Sequence, residues 1–85
     1  MRPTQQGKTK LGELLAVIPK GDKNDVRVHL AEYRGQHVLD IRAWFISSKD
    51  GKPVPTKKGI SLPIEKTGEL FDALLAAGER AGLDF

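Results

Sequence analysis

Residues 25–45 read DVRVHLAEYRGQHVLDIRAWF. Apolar Val26, Val28 and Leu30 alternate with polar neighbours, and Leu39, Ile41 and Ala43 share one parity further on. A period of two is that of a strand with one face buried. Between the two runs stands Arg34-Gly35, and glycine supplies the positive φ that a tight hairpin turn needs. With those two residues as the loop, Tyr33 faces Gln36. The register then sets Leu30 against Leu39, Val28 against Ile41 and Val26 against Ala43. All six fall on one face, and a slip of one residue would scatter them.

The same register composes the opposite face. Arg27 comes across from Arg42, His29 across from Asp40, and Tyr33 beside Gln36, with Trp44 beyond. Like charges directly opposed destabilise a sheet. The two arginines are therefore either neutralised by Asp25 and Asp40 on the diagonals or waiting for an anion. Tyr33 and Trp44 add weight to the second alternative, because single-stranded nucleic acid binds where cations lie beside aromatic rings, phosphates on the charges and bases on the rings.

Outward from this hairpin the chain is simpler. Upstream, LGELLAVIP (11–19) admits two readings: Leu11, Leu14, Leu15 and Ile18 lie on a helical period, while AVIP suits a strand stopped by Pro19. Residues 20–24, with Gly21, form a turn. Downstream, SSKDGKPVPTKK (47–58) is a basic loop held extended by Pro53 and Pro55, with Lys49, Lys52, Lys57 and Lys58 against Asp50. GISLPI follows as a strand with Ile60, Leu62 and Ile64 on one side. From about Lys66 the spacing of Leu70, Phe71, Leu74 and Leu75 predicts a helix, with Thr67 as candidate N-cap and Gly82 as terminator. Its apolar stripe is expected to cover the apolar face of the sheet. The fold class is thus α+β: a four-stranded curved antiparallel sheet followed by one C-terminal helix.

Eighty-five residues make one small domain with a single thin core. Residues 1–10 (Arg2, Lys8, Lys10, no acid) are expected to be a mobile basic tail ahead of a domain over 11–85. They lack the apolar stretch of a secretory signal, and no run is apolar and long enough to span a membrane, so a cytoplasmic, nucleoid-associated protein (nuclear in a eukaryote) is expected. Residues 1–63 carry twelve Lys/Arg against six Asp/Glu, and residues 64–85 two against five. A basic body with an acidic end steers a polyanion to one side. The absence of cysteine excludes disulfides, thiolate metal sites and thiol catalysis. His29 and Asp40 face each other, but no Ser or Cys nucleophile completes a triad and no cluster has metal spacing. Neither an enzyme nor a cofactor or metal site is expected. An interaction module working through the acidic helix or a sheet edge is the rival class.

Four words in sequence resemble a known family: Tyr33-Arg34-Gly35, Asp40-Ile41-Arg42 followed by Trp44 and Phe45, a basic loop with Pro55, and Lys57-Lys58-Gly59-Ile60-Ser61-Leu62. Over residues 24 to about 77 the chain resembles the DNA-binding domain of the positive cofactor four transcriptional coactivators. That resemblance implies a homodimer whose basic sheet surface and loops hold single-stranded DNA, in transcription or in replication, repair or recombination. RNA or the transcription machinery are the alternative partners. It assigns stacking to Tyr33 and Phe45 and phosphate contacts to Arg34, Lys57 and Lys58, and matches Arg42 to the family's Asp-Ile-Arg arginine; Arg27, Gln36, Trp44 and Lys52 complete the expected nucleic-acid-binding residues. Gln36 stands where the family commonly has a further cation, and Phe45 where it has tryptophan, with Trp44 one residue early. The short basic N-terminus in place of a long serine-rich tail resembles a minimal bacterial or phage version.

Overall fold

The computed structural model describes residues 9–83. Four antiparallel strands, β1 (Thr9–Pro19), β2 (Asn24–Tyr33), β3 (Gln36–Ile46) and β4 (Pro53–Pro63), lead through a 3-10 turn (Ile64–Lys66) into the helix α1 (Thr67–Arg80). The strands lie side by side in chain order, with β1 and β4 at the edges. Residues 1–8, most of the expected basic tail, lie outside the described residues, and β1 already begins at Thr9.

The β2–β3 hairpin has the expected register throughout, from Asn24↔Phe45 to Tyr33↔Gln36. Arg34 and Gly35 take φ of 53° and 79°, the double positive φ whose twist matches the flanking strands. The ambiguous segment 11–19 is strand. Its pairing jumps from Leu11↔Ala31 to Leu14↔His29 and again before Ala16↔Val28. Such irregularities break the two-residue alternation, which is why this strand's leucines imitate a helical period.

Downstream, three expectations are corrected. The loop is shorter than 47–58: the Ser47 N–H donates to the Lys52 carbonyl (2.9 Å) and the Gly51 N–H to the Ser47 carbonyl (2.8 Å), closing a turn. From Pro53 the chain is already β4, where an edge position tolerates three prolines. Ile64 does not continue the row of Ile60 and Leu62, because β4 stops at Pro63. Thr67 is not the N-cap either. Lys66 holds that position without a side-chain bond, and the Thr67 hydroxyl donates back to the Ile64 carbonyl at 2.7 Å. The helix does end at Gly82, where Leu83 N–H→Gly78 C=O (2.7 Å) and Gly82 N–H→Glu79 C=O (3.2 Å) form a Schellman motif.

The largest correction concerns the core. α1 packs mainly on the 3-10 turn before it instead of covering the sheet. Phe71 is 60% exposed and Ile60, on the sheet's apolar face, 53%. The buried residues of the sheet lie on the opposite face: Ala31, Val38 and Trp44 together with Asp25, His29 and Asp40. The radius of gyration, 14.5 Å, exceeds the ~12 Å of a compact domain of this length. The apolar face of the sheet and the stripe of the helix are both left uncovered within one chain.

Candidate nucleic-acid interface

Ion pairs organise the polar face. Arg27 donates from Nε to Asp25 Oδ1 (2.9 Å) and from Nη2 to Oδ2 (3.2 Å). Arg42 does the same to Asp40, Nη2 to Oδ1 at 2.9 Å and Nε to Oδ2 at 3.2 Å. Each pair joins residues two apart on one strand, where both side chains share a face, instead of the cross-strand diagonals expected. Ser61 on β4 donates its hydroxyl to Asp40 Oδ1 at 3.0 Å. Asp40, 1% exposed, is thus a buried carboxylate with three donors, the condition under which a buried charge is tolerated. The facing arginines are neutralised by the sheet itself.

Trp44 is held in the same network. The Arg27 guanidinium lies 5.1 Å from its ring centroid and the His29 ring stacks on it at 5.5 Å. His29 Nδ1 and Trp44 Nε1 are buried without a hydrogen-bond partner among the described residues. Although His29 opposes Asp40 in the register, the Asp40 oxygens are engaged by Arg42 and Ser61.

Phe45 sits on the other face, opposite Val54, and is 43% exposed. Tyr33, half-buried, lies at the hairpin turn with the Arg34 guanidinium over its ring at 5.3 Å. Gln36, exposed, is its cross-strand neighbour. Twelve positions of β2–β3 separate Tyr33 from Phe45 in sequence, and nine rises of strand separate Gln36 from Phe45. At about 3.3 Å each, the two rings stand roughly 30 Å apart and on opposite faces. The structure therefore gathers Arg27, Arg42 and Trp44, and sets Tyr33–Arg34 and Phe45 at opposite ends of the hairpin.

Lys57 and Lys58 occupy a feature that periodicity did not reveal. β4 pairs Gly59 with Arg42 and Pro55 with Trp44. Ala43 alone therefore stands opposite Thr56, Lys57 and Lys58, a bulge of two extra residues. Both lysines are exposed. Lys52, also exposed, ends the preceding turn, where its N–H donates to Asp50 Oδ1 at 3.1 Å. Gly59 permits the bulge: a Cβ there would stand 2.6 Å from the Ile41 carbonyl oxygen and 2.8 Å from Arg42 Cα.

Comparison with known proteins fits this geometry. The chain is similar to a PC4 homolog from Burkholderia pseudomallei, with 31% identity, coverage of 79% of this chain and 97% of that one, and a TM-score of 0.71 in one crystal form. It is also similar to the bacteriophage T5 homolog of the eukaryotic coactivator PC4, implicated in recombination-dependent DNA replication (26% identity, 82% and 80% coverage, TM-score 0.67). The RNA polymerase II transcriptional coactivator SUB1 of Saccharomyces cerevisiae is 41% identical over 49 residues, which make up 58% of this chain and 15% of the yeast protein. The family model described as Transcriptional Coactivator p15 (PC4) matches residues 20–73, and the chain belongs to that family.

Proposed function

We propose that this protein is a non-enzymatic, largely sequence-nonspecific binder of single-stranded DNA that works as a homodimer. The observation that carries the reading is the run of exposed cations Lys49, Lys52, Lys57 and Lys58, with Asp50 alone against them, together with the exposed ring of Phe45, whose strand position pairs with Val54 on β4. Cations and an accessible ring together suit phosphates and unpaired bases. Duplex reading is disfavoured by the helix, which bears Glu69, Asp72 and Glu79 against Arg80 and would repel the phosphates flanking a major groove. Tyr33–Arg34, at the far end of the hairpin, serves a second stretch of an extended strand. Arg27 and Trp44 support the sheet, leaving Phe45 as the base platform at their end. The working setting is DNA opened to single strands, in transcription or in replication and recombination, the processes attached to the yeast and phage relatives.

The uncovered apolar surfaces supply the argument for a dimer. Ile18 and Ile60 on the sheet and Phe71 and Leu74 on the helix are each at least half exposed, a combination that a second copy of the chain covers by two-fold symmetry. Anisotropy titrations with a labelled single strand, its duplex and the matching RNA, alongside sedimentation equilibrium, test the proposal. Preference for the single DNA strand and a dimer at micromolar concentration are expected. Equal affinity for duplex and separated strands, or a stable monomer, would overturn the corresponding half.

A further inference from the structure

We propose that Thr56 is a positioning residue that frees Lys57 and Lys58 from strand alternation, so that both lysines meet one stretch of phosphate backbone; this rests on the DNA-binding reading above. In a regular strand consecutive side chains point to opposite faces. Two neighbouring lysines would then be split between the sheet's two sides, and one would be lost to any ligand on the other. The two-residue bulge opposite Ala43 removes that constraint.

A bulge forfeits ladder hydrogen bonds, and Thr56 replaces them. Its hydroxyl donates to the Ala43 carbonyl at 2.8 Å and accepts from the Lys58 N–H at 3.1 Å. One side chain therefore bridges the gap to β3 and fixes the backbone of the second lysine. The Thr56 carbonyl is held in turn by Arg42 Nη1 at 3.1 Å. Arg42 is itself oriented by Asp40, which Ser61 on the same edge strand also engages. A chain of contacts from the most buried carboxylate of the sheet thus ends at the backbone of Lys58, next to Lys57. Arg42 acts here as a clamp, with its Nε, Nη1 and Nη2 all committed to protein acceptors.

The test is a set of salt titrations with a fluorescein-labelled oligothymidylate. It compares the parent with Thr56→Val, Thr56→Ser, Lys57→Ala/Lys58→Ala and the triple variant Thr56→Val/Lys57→Ala/Lys58→Ala. Each phosphate contact on a single strand contributes about 0.7 to the slope of log affinity against log salt. The double lysine variant is expected to lose about 1.4 of slope and Thr56→Val about 0.7, while Thr56→Ser stays at the parental value. In the lysine-free background Thr56→Val should have no further effect, which a general loss of structure would not reproduce. If the double lysine variant loses slope while Thr56→Val keeps it, positioning by Thr56 is wrong and the binding reading stands. If the double lysine variant keeps the parental slope, both fall. Equal loss from Thr56→Val in both backgrounds also overturns the proposal. Should Thr56→Val not fold, the parent alone decides. The Lys58 amide of the free protein must be protected from hydrogen exchange, and exchange at the rate of an open loop overturns the positioning.

Discussion

Asp40→Asn is the substitution through which the structure can be tested most sharply. The carboxylate is 1% exposed and accepts from Arg42 Nε, Arg42 Nη2 and Ser61 Oγ. An amide of the same shape has one acceptor oxygen. Whichever way it turns, its NH2 group faces a donor, so one charge-assisted bond is lost and a donor meets a donor. Bonds to charged groups contribute about 1.5–3 kcal/mol each. The Arg42 side chain is 23% exposed, and water reaching it offsets part of the loss, which places the cost near 2 kcal/mol. For a chain of this size that is a fall in Tm of about 8–16 °C. Thermal and urea unfolding should be followed at one fixed protomer concentration, because the stability of the proposed dimer would depend on concentration. The double variant Asp40→Asn/Arg42→Met should be less destabilised than the sum of its parts, since the two side chains act as one unit. Strict additivity, or a loss below about 0.5 kcal/mol for Asp40→Asn, the usual range of an inconsequential surface change, would refute the view that this carboxylate anchors the polar face.

Other expectations follow from single positions. Arg34→Asn relieves a non-glycine residue at φ 53° and should raise stability by roughly 0.5–1 kcal/mol while weakening DNA binding, measured by unfolding and anisotropy on the same samples. Gly59→Ala forces a Cβ against the Ile41 carbonyl and Arg42 Cα, backbone and near-backbone atoms that cannot swing aside. It should cost about 1–3 kcal/mol, and an unchanged urea midpoint would contradict the close approach. Phe45→Ala should weaken oligothymidylate binding by about 1–3 kcal/mol with the salt slope intact, since stacking releases few ions; a flattened slope would mean that the ring acts by holding the lysines.

Much of the fold was legible because alternation and turn chemistry agree in residues 25–45. Six apolar residues that one pairing brings to a single face and a glycine in the loop leave one register that satisfies both, and that register is the one adopted. The candidate lysines could be named from charge, but not the bulge that carries them, because it depends on a threonine hydroxyl crossing to the Ala43 carbonyl, a contact with no periodicity. β1 was illegible for the related reason that its pairing irregularities erase the period of two. The N-cap was misread because Thr67 satisfies a carbonyl behind it instead of an amide ahead.

The covering helix failed for a reason of another kind. Sequence reveals that Phe71, Leu74 and Leu75 need an apolar partner and that Ile18 and Ile60 need one too; it does not say that the partner is in the same chain. With the helix standing off, the face expected to be open is the buried one. Two arginine–aspartate pairs, a tryptophan and a histidine pack against one another and close the face without a second layer among the described residues. That arrangement changes what the basic residues of the hairpin can do. Arg27 and Arg42 have their charge matched within the sheet, so they offer a polyanion shape and rigidity more than net attraction. On the proposed reading, net attraction is left to Lys52 in the turn before β4 and to Lys57 and Lys58 on β4, where Arg42, paired with Asp40, holds the Thr56 carbonyl from behind. On that same reading, the residues that resemble a binding surface in the sequence divide into a frame, centred on Asp40, and a contact set, centred on Lys57 and Lys58. Substitutions in the frame should alter stability first and affinity second, and those in the contact set the reverse.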